Sequence, residues 1–310
     1  AVDNSNGPRR GHLYVVWPES FSFTVPPGTT EREESEPNNY FAQADEIDIG
    51  QNIVAYLGGE LAGGDPDVDI YSFQGTAGTT IWLQGEMGDT YPPPGAGASP
   101  RCDYLELFCG LDTLNTVTLG QQAFEEQFRG AMPGLVFTLP RTGIYYVRVN
   151  TTSFSAYYAL RLRQVTRDNG SCARDHRDLV LVSSSDGGQT WSPKTCVSDS
   201  PPGFDDSFPE LAVDHSGALH LAWYDRRDDP TCGARADTYY ISSANGISFT
   251  PSIRLSTQSS SWDFRTSSQG TNVGDHIALA ISGERVIVGW TQQGRPDVDV
   301  YVRAIDPAPV

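Results

Sequence analysis

The chain has 310 residues, 38% of them hydrophobic, with 31 glycines, 21 prolines and 39 acidic against 21 basic side chains, a formal net charge of −18. That composition excludes a disordered chain, and its charge would repel the phosphates of nucleic acid or an anionic lipid surface; cations are the natural small partners. No run approaches the ~20 apolar residues of a membrane span, and no signal-peptide pattern stands at Ala1. Short runs rich in Val, Ile, Tyr and Trp, punctuated by Gly and Pro, predict strands throughout.

In chain order, the first segment is AVDNSNGPRRGHLYVVW, Ala1 to Trp17, a strand, a Gly-containing turn and a second strand ending in Trp. Pro18–Glu33, with PPGTTEREE, reads as a linker, as does Gln164–Asp175. Between them, residues 34–165 alternate apolar and polar, as in IYYVRV and YALRLR, the pattern of half-buried strands. Asp178 then opens DLVLVSSSDGGQTW. AVDHSGALHLAW (Ala212–Trp223) and ALAISGERVIVGW (Ala278–Trp290) repeat the first segment, and Asp237 and Asp299 open the strands that follow them. Trp223 and Trp290 are 67 positions apart, whereas Trp17 and Trp223 are 206 apart, an excess of 139. The excess places an insertion between the second and third strands of the first repeat, with its two ends close together. The expected division is therefore residues 1–33 and 166–310, three four-stranded meanders or most of them, around an inserted domain at 34–165.

Five cysteines, Cys102, Cys109, Cys172, Cys196 and Cys232, show no CxxC spacing. They read as disulfides from an oxidising compartment, with Cys102 and Cys109 able to close a short loop and one thiol left over. Secretion to the cell surface or beyond is the matching location.

The run Ser184-Ser185-Asp186-Gly187-Gly188-Gln189-Thr190-Trp191 resembles the Asp-box, S-x-D-x-G-x-T-W, of sialidase-type (BNR-repeat) β-propellers, and Ser242–Phe249 is a degenerate second copy. Asp and Ser oxygens suit a tight hairpin by accepting backbone N–H groups, Gly supplies positive φ, and Trp is expected to pack on the sheet. The resemblance implies a partial propeller of about three blades. Of the sialidase catalytic set it offers only fragments. Arg226 and Arg227 could grip a carboxylate, Asp206 and Asp275 stand before innermost strands, and Tyr301 is the available phenol. Three blades leave open edges, so the remainder of the propeller is expected from the same polypeptide, a second copy or another chain.

The inserted segment carries EPNN, D-x-D-x-Y-S-F, L-P-x-x-G-x-Y-Y-V-x-V and YYALRL, and resembles bacterial pre-peptidase C-terminal (PPC) domains. The resemblance implies a jelly-roll-like β-sandwich similar to collagenase collagen-binding domains, which bind calcium through an early acidic segment. Carried over by motif, Glu34, Glu36, Asn38 and Asn39 are the ligands, with Asp67 and Asp69, or Asp65, completing a hard oxygen shell for Ca²⁺. Asn39 departs from the pattern, standing where the collagenase version has a carboxylate. DPDVDIYSF is not an EF-hand loop, because Ile70 occupies the glycine position.

No GxSxG, HExxH or P-loop appears, and the five histidines are scattered. The leading expectation is a secreted, non-enzymatic binding or assembly module whose partner is a glycan, a matrix or cell-surface protein, or another copy. The alternatives are an exo-sialidase-like glycoside hydrolase fragment and an accessory region of a secreted peptidase.

Overall fold

The apolar runs become strands. The computed structural model describes residues 1–19, 23–28, 30–57, 67–86, 104–110, 116–123, 134–150, 156–168, 172–174, 177–229, 235–261, 276–293 and 298–306. Among these the chain is all-β, apart from one helical turn at Phe41–Gln43, and no helix is long and apolar enough to cross a membrane. The chain divides into two units, one made of Ala1–Ser22 with Asn169–Val310, the other of Phe23–Asp168.

The first unit holds three antiparallel sheets. Leu13–Glu19 pairs with Asp178–Ser184, which pairs with Thr195–Cys196. The second sheet runs Asp206–Val213, Leu219–Asp225, Arg235–Ser243, Ile253–Arg254, and the third Ile277–Ser282, Arg285–Gln293, Val298–Ile305. The strand through Trp17 and the strand opening at Asp178 are thus direct neighbours, although the whole second unit separates them in sequence.

The three sheets share one register. Glu19 faces Asp178, Asp225 faces Asp237 and Gln292 faces Asp299; two residues back, Trp17 faces Val180, Trp223 faces Tyr239 and Trp290 faces Tyr301. Each Trp indole N–H donates to the side chain two positions on, Glu19 at 3.0 Å, Asp225 at 3.1 Å and Gln292 at 3.3 Å. Period-2 alternation gives each sheet two apolar faces. Tyr14, Leu179 and Leu181 of the first sheet pack on Leu219, Leu221 and Trp223 of the second. The opposite face of the second sheet, with Ala222, Tyr224 and Tyr240, packs on Val286, Val288 and Trp290 of the third. Full burial of side chains this size contributes roughly 1.5–3 kcal/mol each. The disulfide Cys172–Cys196 ties the segment before Asp178 to the short edge strand.

The second unit is two five-stranded sheets. One is ordered Gly134–Thr138, Thr80–Glu86, Ala156–Gln164, Gln51–Leu57, Thr30–Glu33; the other Asp45–Glu46, Val68–Gly75, Gly143–Asn150, Tyr104–Gly110, Thr116–Ala123. Their inner faces bury Ile53, Ile81, Leu83, Leu160 and Leu162 on one side and Tyr71, Phe73, Tyr145, Val147 and Val149 on the other. Tyr71 and Tyr158 meet across the two layers, hydroxyl to hydroxyl at 2.6 Å. The unit begins and ends on a short antiparallel pair, Phe23–Thr24 with Thr166–Arg167. The two stretches expected to be linkers are therefore partly sheet. Thr30–Glu33 lies parallel to Gln51–Leu57 as an edge strand, where polar side chains such as TERE are tolerated because one side faces solvent.

Candidate metal centre

The inner face of Val68–Gly75 reads Asp69, Tyr71, Phe73, each opposite an apolar or aromatic partner, Val149, Val147 and Tyr145. Two of these three positions are aromatic core. The third is a carboxyl with no exposed surface, a placement that is unfavourable unless the group is paired, protonated or metal-bound.

Glu34 and Glu36 meet it there. They follow the edge strand Thr30–Glu33, and oxygen atoms of Glu34, Glu36 and Asp69 all lie within 4.8 Å of one another. Protein donors serve part of this set. Glu34 accepts the Tyr56 backbone N–H at 2.6 Å and the Tyr71 hydroxyl at 3.1 Å. Asp69 accepts the Tyr158 hydroxyl at 2.6 Å, and Glu36 accepts the Asn38 N–H at 3.0 Å. The other Asp69 oxygen, Oδ1, is buried without a hydrogen-bond partner among the described residues, as are both polar side-chain atoms of Asn38. Asn38 itself is fully buried.

Burial and like charge together disfavour the ionised forms of these carboxyls. Burial first, and then the charge of Glu34, pushes the Asp69 carboxyl up to about 9. Burial also pushes Glu34 up, against the hydrogen bonds from Tyr56 and Tyr71. Glu36 is raised by burial, with Asp67 and Asp45 adding like charge. Three oxygen anions, an amide oxygen and no thiolate or imidazole suit a hard cation of the Ca²⁺ kind. The residues present fit such an ion.

Of the residues expected from sequence, the structure brings together Glu34, Glu36 and Asp69. Asp67 is near enough to act on both Glu36 and Asp69 through its charge. Asn38 is buried beside the turn, its carbonyl accepting the Ile70 N–H. Asn39 is used structurally, its Oδ1 accepting the Val68 N–H at 2.9 Å. Asp65 lies outside the described residues. Sequence reasoning passed over Tyr71 and Tyr158, which stand in the YSF and YYA motifs, and Asp45, which pairs with Arg32 and accepts the Ser35 N–H at 3.1 Å.

In the first unit, Asp186 organises the hairpin after Asp178–Ser184. Its Oδ1 accepts the N–H groups of Gln189 and Thr190 at 2.9 Å, its Oδ2 the Thr190 hydroxyl at 2.6 Å, and Ser184 Oγ takes the Gly188 N–H at 2.9 Å. These bonds, chiefly from Thr190, hold the Asp186 carboxyl well below the usual carboxylate range. Gly188 sits at φ +90°, which favours glycine. Trp191 is half exposed rather than packed away, so oxygen acceptors, not the ring, close this turn. The second copy works the same way with an amide: Asn245 Oδ1 accepts the Ile247 and Ser248 N–H groups at 2.8 Å.

Of the catalytic candidates, Arg227 and Asp206 are engaged by neighbouring side chains. Arg227 pairs with Asp225 at 2.6 Å and Asp199 at 2.7 Å and lies 4.4 Å over the Tyr239 ring. Asp206 is fully buried, accepting Trp223 Nε1 at 2.9 Å and Ser200 Oγ at 3.0 Å. Burial, with Asp225 opposite, pushes its carboxyl up. Arg226, next to Arg227 in sequence, is partly exposed, and Tyr301 stacks on Trp290. His220 is packed, bridging Tyr240 and Asp214. Asp275 lies outside the described residues, as do Cys102 and Cys232.

No family model matches the chain, and no curated protein does. Among solved structures the chain is similar to a 1.0 Å crystal structure of the pre-peptidase C-terminal domain of collagenase from Bacillus anthracis, at 15% identity and a TM-score of 0.27, the match covering 42% of this chain and 100% of that one.

Proposed function

We propose that the chain is an extracellular, non-enzymatic binding or assembly module. In this reading a jelly-roll-like, PPC-type sandwich carries one Ca²⁺ site and is inserted into blade-like sheets of the sialidase-type propeller kind. One observation carries the reading: the carboxylates of Glu34, Glu36 and Asp69 converge where Asp69 Oδ1 and the Asn38 side chain are buried without partners among the described residues. Glu34, Glu36, Asp69 and the Asn38 amide oxygen would hold the ion, with Asp67 adding charge. Bound there, Ca²⁺ would neutralise the cluster and fix the Glu34–Asn39 segment against the sheet. The Cys172–Cys196 disulfide supports an oxidising, extracellular location. The engagement of Arg227 by two aspartates supports binding rather than glycoside hydrolysis.

Calorimetric titration of chelator-treated protein with Ca²⁺ tests this. The expected result is one site per chain with Kd of about 10⁻⁴–10⁻³ M, the extracellular range. Ion at ~100 times Kd should then raise stability by about 2.7 kcal/mol. No binding heat and no gain in melting temperature would remove the calcium site.

A further inference from the structure

The first unit contains the same joint twice. In each sheet the face that bears Trp is one half, and the opposite face is the other. The non-Trp face of the first sheet packs on the Trp face of the second, and the non-Trp face of the second packs on the Trp face of the third. Two halves are left over: the Trp17 face of the first sheet and the non-Trp face of the third.

The shared register lets the same positions be compared. Counting from the aspartate that opens each strand, Leu179 and Leu181 in the first sheet are 0% and 3% exposed, and Thr238 and Tyr240 in the second 1% and 4%. Their equivalents in the third sheet, Val300 and Val302, are 74% and 67% exposed. On the other half-joint, Leu221 and Val288 are both 0% exposed, while Val15 is 44% exposed, although Val180 on the same face as Val15 is buried. At these equivalent positions among the described residues, Val15, Val300 and Val302 stand in solvent where their counterparts in the other sheets are buried. On the Val302 face Ala278, Gly289 and Val302 form one uncharged row and Ala280, Ile287 and Ala304 the next, bordered by Ser282 and Arg285, the latter paired with Asp306.

We propose that a second copy of this chain covers these faces, head to tail, with the Val15 face of one copy on the Val302 face of the other. The assembly reading above is the premise; this names the partner and the surface. What fits a leftover half-joint is its complement, and each copy carries that complement at the far end of its own stack. Three strands ~4.8 Å apart and about seven residues long at ~3.4 Å each make a face on the order of 350 Å². One such joint falls short of the ~800 Å² per partner of a standard interface. Two joints made together approach it, so closure of two copies is favoured over an open chain of copies. Six sheets lie within the range of about four to eight found in closed rings of sheets. Each copy carries a charge of −18, so long-range repulsion opposes the contact and added salt should strengthen it.

Sedimentation equilibrium on the full chain, with Val15→Glu and Val302→Glu variants, tests this. Both positions are solvent-facing, so each variant should keep the wild-type circular dichroism. The expected result is a wild-type dimer tightened by salt, each variant monomeric by itself at least tenfold above the wild-type Kd, and dimer returning when the two variants are mixed. The mixture retains one unaltered joint and so associates more weakly than wild type. A wild-type monomer at every concentration and salt would overturn the proposal. So would a Val15→Glu dimer as tight as wild type, which would mean Val302 faces pairing with each other, or a mixture no more associated than its parts. Calcium binding by a chain that stays monomeric would sink the second copy and leave the calcium module standing.

Discussion

Asp69 shows what one residue on the wrong side of a hydrophobicity pattern can mean. Along its strand, every second side chain is core, and a carboxyl takes one of those places opposite Val149. With its folded value near 9 and an unfolded value of about 3.9, the metal-free folded state binds the proton more tightly than the unfolded chain. The stability this contributes is complete below about pH 4 and is lost as pH rises towards 9. Metal-free protein should therefore melt at progressively lower temperature between about pH 5 and 9, while Ca²⁺ flattens that decline; parallel pH dependence with and without the ion would refute the site. Asp69→Asn should weaken Ca²⁺ binding at least tenfold, and without metal it should melt higher than wild type near pH 8. The acidic run Glu34–Glu36 and Asp69 were legible in sequence because hard oxygen donors cluster there. Tyr158 was not, because it comes from a strand 89 positions further on and meets Asp69 only through sheet packing. At the hairpin, Asp186→Asn should be well tolerated and Asp186→Ala poorly, since Asn245 already performs the same N–H acceptance in the neighbouring copy; equal melting temperatures for the two variants would contradict that.

Elements were legible where periodicity and aromatic markers coincide. Trp17, Trp223 and Trp290 announced equivalent strands, and the structure places each opposite the second residue after its aspartate. The 67-residue spacing pointed to an interruption because a strand must return to pair with its neighbour, and Leu13–Glu19 pairs with Asp178–Ser184. Thr30–Glu33 escaped because a four-residue polar edge strand in parallel pairing has no alternation to read. The partner of Cys172 escaped as well, since connectivity depends on which segments lie side by side. The disulfide to Cys196 closes a loop with a sequence separation of 24. Its removal by Cys172→Ser with Cys196→Ser should lower stability by about 3 kcal/mol. Denaturant midpoints read this directly; an unchanged midpoint would show that the bridge constrains nothing.

For the whole molecule, charge bears on both proposals, the metal and the assembly. A net charge of −18 opposes self-association and makes cations the natural partners, and the central rows of the sheet face proposed to receive another copy carry no charge. Composition gives the charge, and with it the expectation of cations as partners. The face proposed for the second copy became visible only once the register showed which side chains lack the cover that their equivalents have. The calcium module is the central claim, and native mass spectrometry of the full chain equilibrated with Ca²⁺ tests it most directly, because it weighs the bound ion and counts copies at once. One calcium per chain is predicted, absent from Asp69→Asn and retained by Val302→Glu. A calcium-free mass, or an ion that survives Asp69→Asn unchanged, would contradict the account.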